Sequence, residues 1–243
     1  MKINLSRKWP LAALTLGLGL AVSGVQAQHI NAGALGSGQL YFQNVSGFVN
    51  SSGFVITNRE ITLLQGAPAL TSPGLFEVSG LSFTALGATS NALHNSSPFA
   101  ASLGAFVELR LETVLSGPAG GIFSFWDHDA ITSPTYSLGV GASGTSLIEL
   151  SDATLGAGTV GGDPYGHLHG RRYAVDLPGD YVVGFRLVDT SVNGLGGSPI
   201  QTPSDLYLLT FHAVPEPSVI ALGAMGAIAF GFATRRPRNN TVK

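Results

Sequence analysis

The run Phe106-Val107-Glu108-Leu109-Arg110-Leu111-Glu112-Thr113-Val114-Leu115 decides the fold class. Val107, Leu109 and Leu111 alternate with Glu108, Arg110 and Glu112, a period of two that sends one row of side chains into a core and the other into water. The same period returns where Tyr181, Val183, Phe185 and Leu187 share a face and Gly184 and Arg186 take the other. Between such runs Gly, Ser, Thr, Asn and Pro punctuate short apolar segments, and no amphipathic helix of three turns stands out. Strands are expected over residues 39–45, 53–57, 60–64, 75–83, 106–115, 121–126, 136–140, 146–150, 181–189 and 205–214. Residues 87–102, rich in Asn and Ser, and 155–162, rich in Gly, read as loose connections within one unit. The expectation is an all-β body, a single jelly-roll-like β-sandwich over residues 28–213.

Composition narrows the function classes. Of 12 basic residues, seven (Lys2, Arg7, Lys8, Arg235, Arg236, Arg238 and Lys243) lie in the terminal segments, leaving five arginines in the body against 13 of the 14 acidic residues. A body carrying about −8 argues against nucleic acid or an anionic membrane surface as partner. With no cysteine, thiol catalysis and thiolate metal sites are excluded, so a metal would need His, Asp, Glu or backbone oxygen.

Both ends read as addresses. Residues 1–27 have the form of a secretory signal peptide, with basic Lys2, Arg7 and Lys8, an apolar stretch over 11–22 and a small-x-small site at Val25-Gln26-Ala27 that suits signal peptidase. At the other end, Pro215 and Pro217 flank Glu216 and keep that tripeptide extended, because each fixes φ and removes a backbone donor. Ser218 then caps an uncharged apolar run over 219–233, a hydrophobic helix somewhat short of the ~20 residues that span a bilayer comfortably. Arg235, Arg236 and Arg238 follow and would hold the C-terminus in the cytoplasm.

The order Pro-Glu-Pro, apolar helix, Arg cluster over 214–243 resembles the PEP-CTERM sorting signal of Gram-negative bacteria, also called an ice-binding protein C-terminal domain, a name that implies no ice binding here. The resemblance implies an exosortase-type membrane protease as partner, cutting near Pro215, Glu216 and Pro217. It also implies transient inner-membrane anchoring, then a place at the cell surface or in the extracellular matrix. Exopolysaccharide or other envelope components are the partners such a location suggests.

Within the body, Gly166-His167-Leu168-His169-Gly170-Arg171-Arg172-Tyr173 is the most informative segment. In an extended strand, residues two apart face the same way, so His167 and His169 would converge on one ion, and imidazole suits Zn, Cu, Ni and Fe. The bland alternative is a pair of histidines bonded to solvent or to Asp163. With Pro178-Gly179-x-Tyr181 downstream, the segment resembles the choice-of-anchor domains and the related surface-anchored repeat associated with metal ABC transporters. His29-Ile30-Asn31 resembles that family's early His-x-Asp element, with Asn31 where an acid is usual. The resemblance implies an extracytoplasmic module that handles zinc or a similar metal through His167 and His169, with His29 as a third ligand. The Arg171-Arg172 pair departs from the family's usual aromatic.

Other polar clusters point elsewhere. Asp127-His128-Asp129 reads as a solvated turn in preference to a Ca²⁺ loop, and His94 and His212 read as structural. Glu108 and Glu112 flank Arg110 on one strand face, which suits a wet surface better than a glycosidase pair. No nucleophile elbow, no His-Glu-x-x-His and no phosphate-binding glycine loop is present. The expected role is therefore binding without turnover. A metal-dependent hydrolase or oxygenase centred on the His pair would need further ligands from another strand.

Overall fold

The computed structural model describes residues 28–35, 38–43, 59–65, 75–78, 80–90, 92, 94–130, 132–156, 162–168 and 170–215. The signal segment and the tail from Glu216 onward, including Pro217, Arg235 and Arg236, lie outside these residues, as do the expected strand 53–57 and His169. No helix among the described residues is long and apolar enough to cross a membrane.

The body is all-β, and its strands fall into two sheets. Four short strands form the smaller sheet: β1 (Gln28–Ala34), β2 (Leu40–Gln43), β5 (Leu81–Ala85) and β10 (Gly166–His167), in the order β10-β5-β1-β2. The larger sheet contains β3 (Glu60–Gln65), β4 (Phe76–Val78), β6 (Val107–Ser116), β7 (Ile122–Trp126), β8 (Tyr136–Gly139), β9 (Ser143–Glu149), β11 (Arg172–Val175), β12 (Gly179–Asp189) and β13 (Tyr207–Val214). Its order is β8-β7-β11-β4-β3-β13-β12-β6-β9, so the two edge strands are neighbours in sequence. The turn between them is tied down by backbone bonds from Gly141 N–H to the Val114 carbonyl at 2.7 Å and from Val140 N–H to the Gly121 carbonyl at 2.9 Å. The sheet thus curls nearly into a barrel, drawn together at the β8–β9 turn, with no hydrogen-bonded ladder joining β8 to β9.

The expected all-β body is present, but a barrel-like curl replaces the two open layers of a jelly-roll sandwich. The small sheet packs its apolar face into the barrel: Phe83 lies with ring centroids 5.4 Å from Phe185 and 6.2 Å from Tyr173. Leu109, Leu111, Val183, Phe185, Leu187 and Phe211 are buried in the same core, as the alternation of β6 and β12 requires.

Two strand expectations need correction. The run 75–83 is not one strand but two, because the chain leaves the large sheet after β4 and enters the small one at β5. Two segments not expected as strands also pair: β1 runs parallel to β5, and β11 is enclosed between β4 and β7.

Glycine is needed where Pro178-Gly179-x-Tyr181 opens β12. Gly179 has φ +132°, and a Cβ there would meet the Pro118 ring at 2.9 Å. Tyr181 then sits fully buried and donates its hydroxyl to the Leu177 carbonyl at 3.2 Å. Burial first, and the nearby Asp176 carboxylate second, push that phenol up to about 12. This half of the motif builds the fold.

Candidate functional site

Strand pairing brings four residues to one place. His29 and Asn31 alternate along β1 with the core residues Ile30 and Ala32, so both point to the opposite face of the small sheet. Asn31 is the cross-strand partner of Thr84 on β5, and Thr84 is the partner of His167 on β10. The face so formed is not wet: His29 is 1% exposed and Asn31 0%, and Ser82 and Thr84 are buried too.

His29 and His167 meet across this face. His29 Nδ1 lies 3.0 Å from His167 Nε2, with ring centroids 4.6 Å apart, and 3.3 Å from the Thr84 hydroxyl. Two imidazole nitrogens can face each other in this way as a hydrogen bond, one ring supplying the proton. They can also share a metal. A tetrahedral zinc with ~2.0–2.1 Å bonds holds its nitrogen ligands about 3.3 Å apart, within a few tenths of an ångström of what is found.

Gly166 allows β10 to lie where it does. A Cβ there would fall on the backbone carbonyl oxygen of Leu150, so only glycine lets His167 approach β5 alongside the 150–151 backbone. β10 spans Gly166–His167, and His169, expected to share a face with His167, lies outside the described residues. Among the described residues, the histidine set beside His167 is His29, 138 residues earlier. Among the described residues no three His, Asp or Glu side chains converge.

His167 also lines a cleft of about 530 Å³ at the seam of the barrel. Tyr136 of β8 and Leu147, Ile148 and Glu149 of β9 line it, together with Glu108, Asp127 and Arg171. Glu108 and Glu149 are direct cross-strand partners, and Glu108 accepts the Thr190 hydroxyl proton at 2.6 Å. Arg171 is held by Asp127 at 2.8 Å. Arg172 turns the other way, its guanidinium 6.0 Å from the Trp126 ring centroid and bonded to the Ala130 carbonyl. The Arg pair therefore splits between the cleft and the outer wall.

The remaining candidates find structural places. Asp127 opens a turn in which Ala130 N–H reaches its carbonyl at 3.0 Å and His128 N–H reaches its carboxylate at 2.7 Å, while His128 contacts the exposed Asp129 at 2.8 Å. His94 stacks on Tyr165 at 4.0 Å, and His212 pairs with Asp180 at 2.8 Å across β12 and β13. The Asp163 carboxylate accepts the Thr89 N–H at 3.0 Å and the Thr89 hydroxyl. Glu112 is fixed between Arg186 and Arg110. Pro215 follows β13 as an exposed residue.

Sequence reasoning missed Thr84, although Leu81-Ser82-Phe83-Thr84-Ala85 alternates plainly. The pattern reveals a polar face and cannot show that the face is covered. No protein family, no curated protein and no solved structure matches the chain.

Proposed function

We propose that this chain is an exported envelope or matrix protein, sorted through its C-terminal segment by an exosortase-type protease, whose β body is an extracytoplasmic metal-binding module. The observation that carries the metal reading is the facing pair His29 Nδ1 and His167 Nε2 at 3.0 Å, with His29 buried on the sheet face and His167 half-buried at its edge beside the cleft. Zinc, or another ion that imidazole suits, would bridge β1 and β10 across β5. Both rings must be neutral to bind it, so metal uptake releases protons and weakens as pH falls.

Calorimetry of Zn²⁺ into the full chain tests this. Saturable heat is expected with the native sequence and none with His29→Ala/His167→Ala; equal heats in both would end the metal reading. The sorting half rests on the two terminal segments and has its own test. Deleting residues 214–243 should move the protein from the envelope, and an unchanged location would remove that half alone.

The seam cleft favours a second reading, in which the body holds an envelope polysaccharide. Tyr136 offers a ring face, and Glu108, Glu149 and Arg171 offer hydrogen bonds around a volume of about 530 Å³. Retention of the full chain on the host's own exopolysaccharide, lost in Tyr136→Ala/Glu149→Ala, would support it. Equal retention of both would dismiss it.

A further inference from the structure

Asn31 is the anomaly on the buried face. Its side chain is 0% exposed, and neither Oδ1 nor Nδ2 has a hydrogen-bond partner among the described residues. Buried amides are almost always paired, so one with both ends idle needs an explanation. Asn31 stands two residues from His29 on the same face of β1, and the row Asn31, Thr84, His167 crosses three adjacent strands. The Thr84 hydroxyl contacts His29 Nδ1 at 3.3 Å and does not pair with the amide.

We infer that Asn31 supplies the oxygen ligand that joins His29 and His167 in holding the metal ion, which makes the centre a set of three neutral groups. A carboxamide oxygen has two lone pairs and no charge. An ion held only by neutral groups in a buried place keeps its full charge there, so the site binds it loosely enough for exchange. A carboxylate at the same position would cancel part of that charge and tighten the hold.

This inference rests on the metal reading above, and the experiment separates the two. Zn²⁺ alone is titrated into the full chain and into Asn31→Asp, Asn31→Leu and His29→Ala/His167→Ala, with thermal melts in chelator alongside. Asn31→Asp is expected to bind about ten-fold or more tightly, and Asn31→Leu about ten-fold or more weakly. In chelator, Asn31→Leu should melt no lower than the native chain, since it removes an amide that pairs with nothing among the described residues; an amide with a structural role would give a lower melt. Histidine-dependent binding with unchanged affinity in both Asn31 variants overturns the inference and leaves the metal reading standing. Absence of heat from the native chain overturns both. Should Asn31→Leu fail to fold, Asn31→Asp decides alone, and an affinity equal to or below native sinks the proposal.

Discussion

The wall β13-β12-β6 and the small sheet β10-β5-β1-β2 both alternate polar and apolar residues, yet the polar rows mean opposite things. On the wall they meet water. Arg110 and Arg186 are direct cross-strand partners whose like charges would repel, and Glu112 bridges them, taking Arg186 through paired bonds of 2.6 and 2.9 Å and Arg110 at 2.6 Å. On the small sheet the polar row of His29, Asn31, Ser82 and Thr84 is buried. A strand's polar face reports solvent only where nothing covers it. Where it is covered, the residues must satisfy one another or a ligand.

The largest expected effect is on the wall and should leave the small sheet's chemistry alone. Asp189, buried at the end of β12, accepts N–H groups from Phe106, Ser191 and Gln201, each at 2.9 Å. Asp189→Ala strands all three donors and should cost about 3–5 kcal/mol in chemical denaturation. The fraction still folded should take up zinc with native affinity; a matching loss of affinity would mean that the two regions are not separable.

Gly166→Ala strikes the other side. The added methyl collides with the Leu150 carbonyl, and overpacking of this kind costs about 1–3 kcal/mol. More telling, it should push His167 away from His29 and remove zinc binding while most of the fold survives. Native affinity in this variant would break the link between the motif glycine and the pair.

The smallest effects concern pH, and the two carboxylates on the large sheet's outer face should respond with opposite sign. Glu112 is held below its ordinary value, first by its hydrogen bond from Arg186 and then, against the cost of burial, by Arg110. Its stabilisation is present above the unfolded carboxylate range and is lost as pH falls through the lower folded value, so Glu112→Gln should flatten the acid limb of a stability curve by about 1–2 kcal/mol. Glu77, buried on β4, is pushed up by desolvation, only partly offset by the charge of Arg172. Its contribution is present at low pH and fades as pH rises through the raised value, so Glu77→Gln should gain about 1 kcal/mol or less at neutral pH. Equal slopes for the two variants would contradict the assignment.

These differences also explain what was legible in the sequence. The wall could be read because alternation in Val107–Ser116 and Gly179–Asp189 depends on local spacing alone. The curl of the large sheet could not, since it follows from pairing between strands far apart in the chain. The histidine segment was recognisable as special, and His29 was noticed through its neighbours in sequence. That His29 stands against His167 depends on the parallel pairing of β1 with β5, which places residues 138 apart in contact. Asn31 reads in the sequence as a missing carboxylate, and its complete burial, with neither amide atom paired among the described residues, depends on tertiary packing that spacing cannot show.

Crystals of the full chain soaked in Zn²⁺ and measured across the zinc absorption edge test the central claim most directly. An anomalous peak is expected between His29 Nδ1 and His167 Nε2, ~2.0–2.1 Å from each. Zinc found only at surface groups such as His212 with Asp180, and none between those two rings, would contradict it.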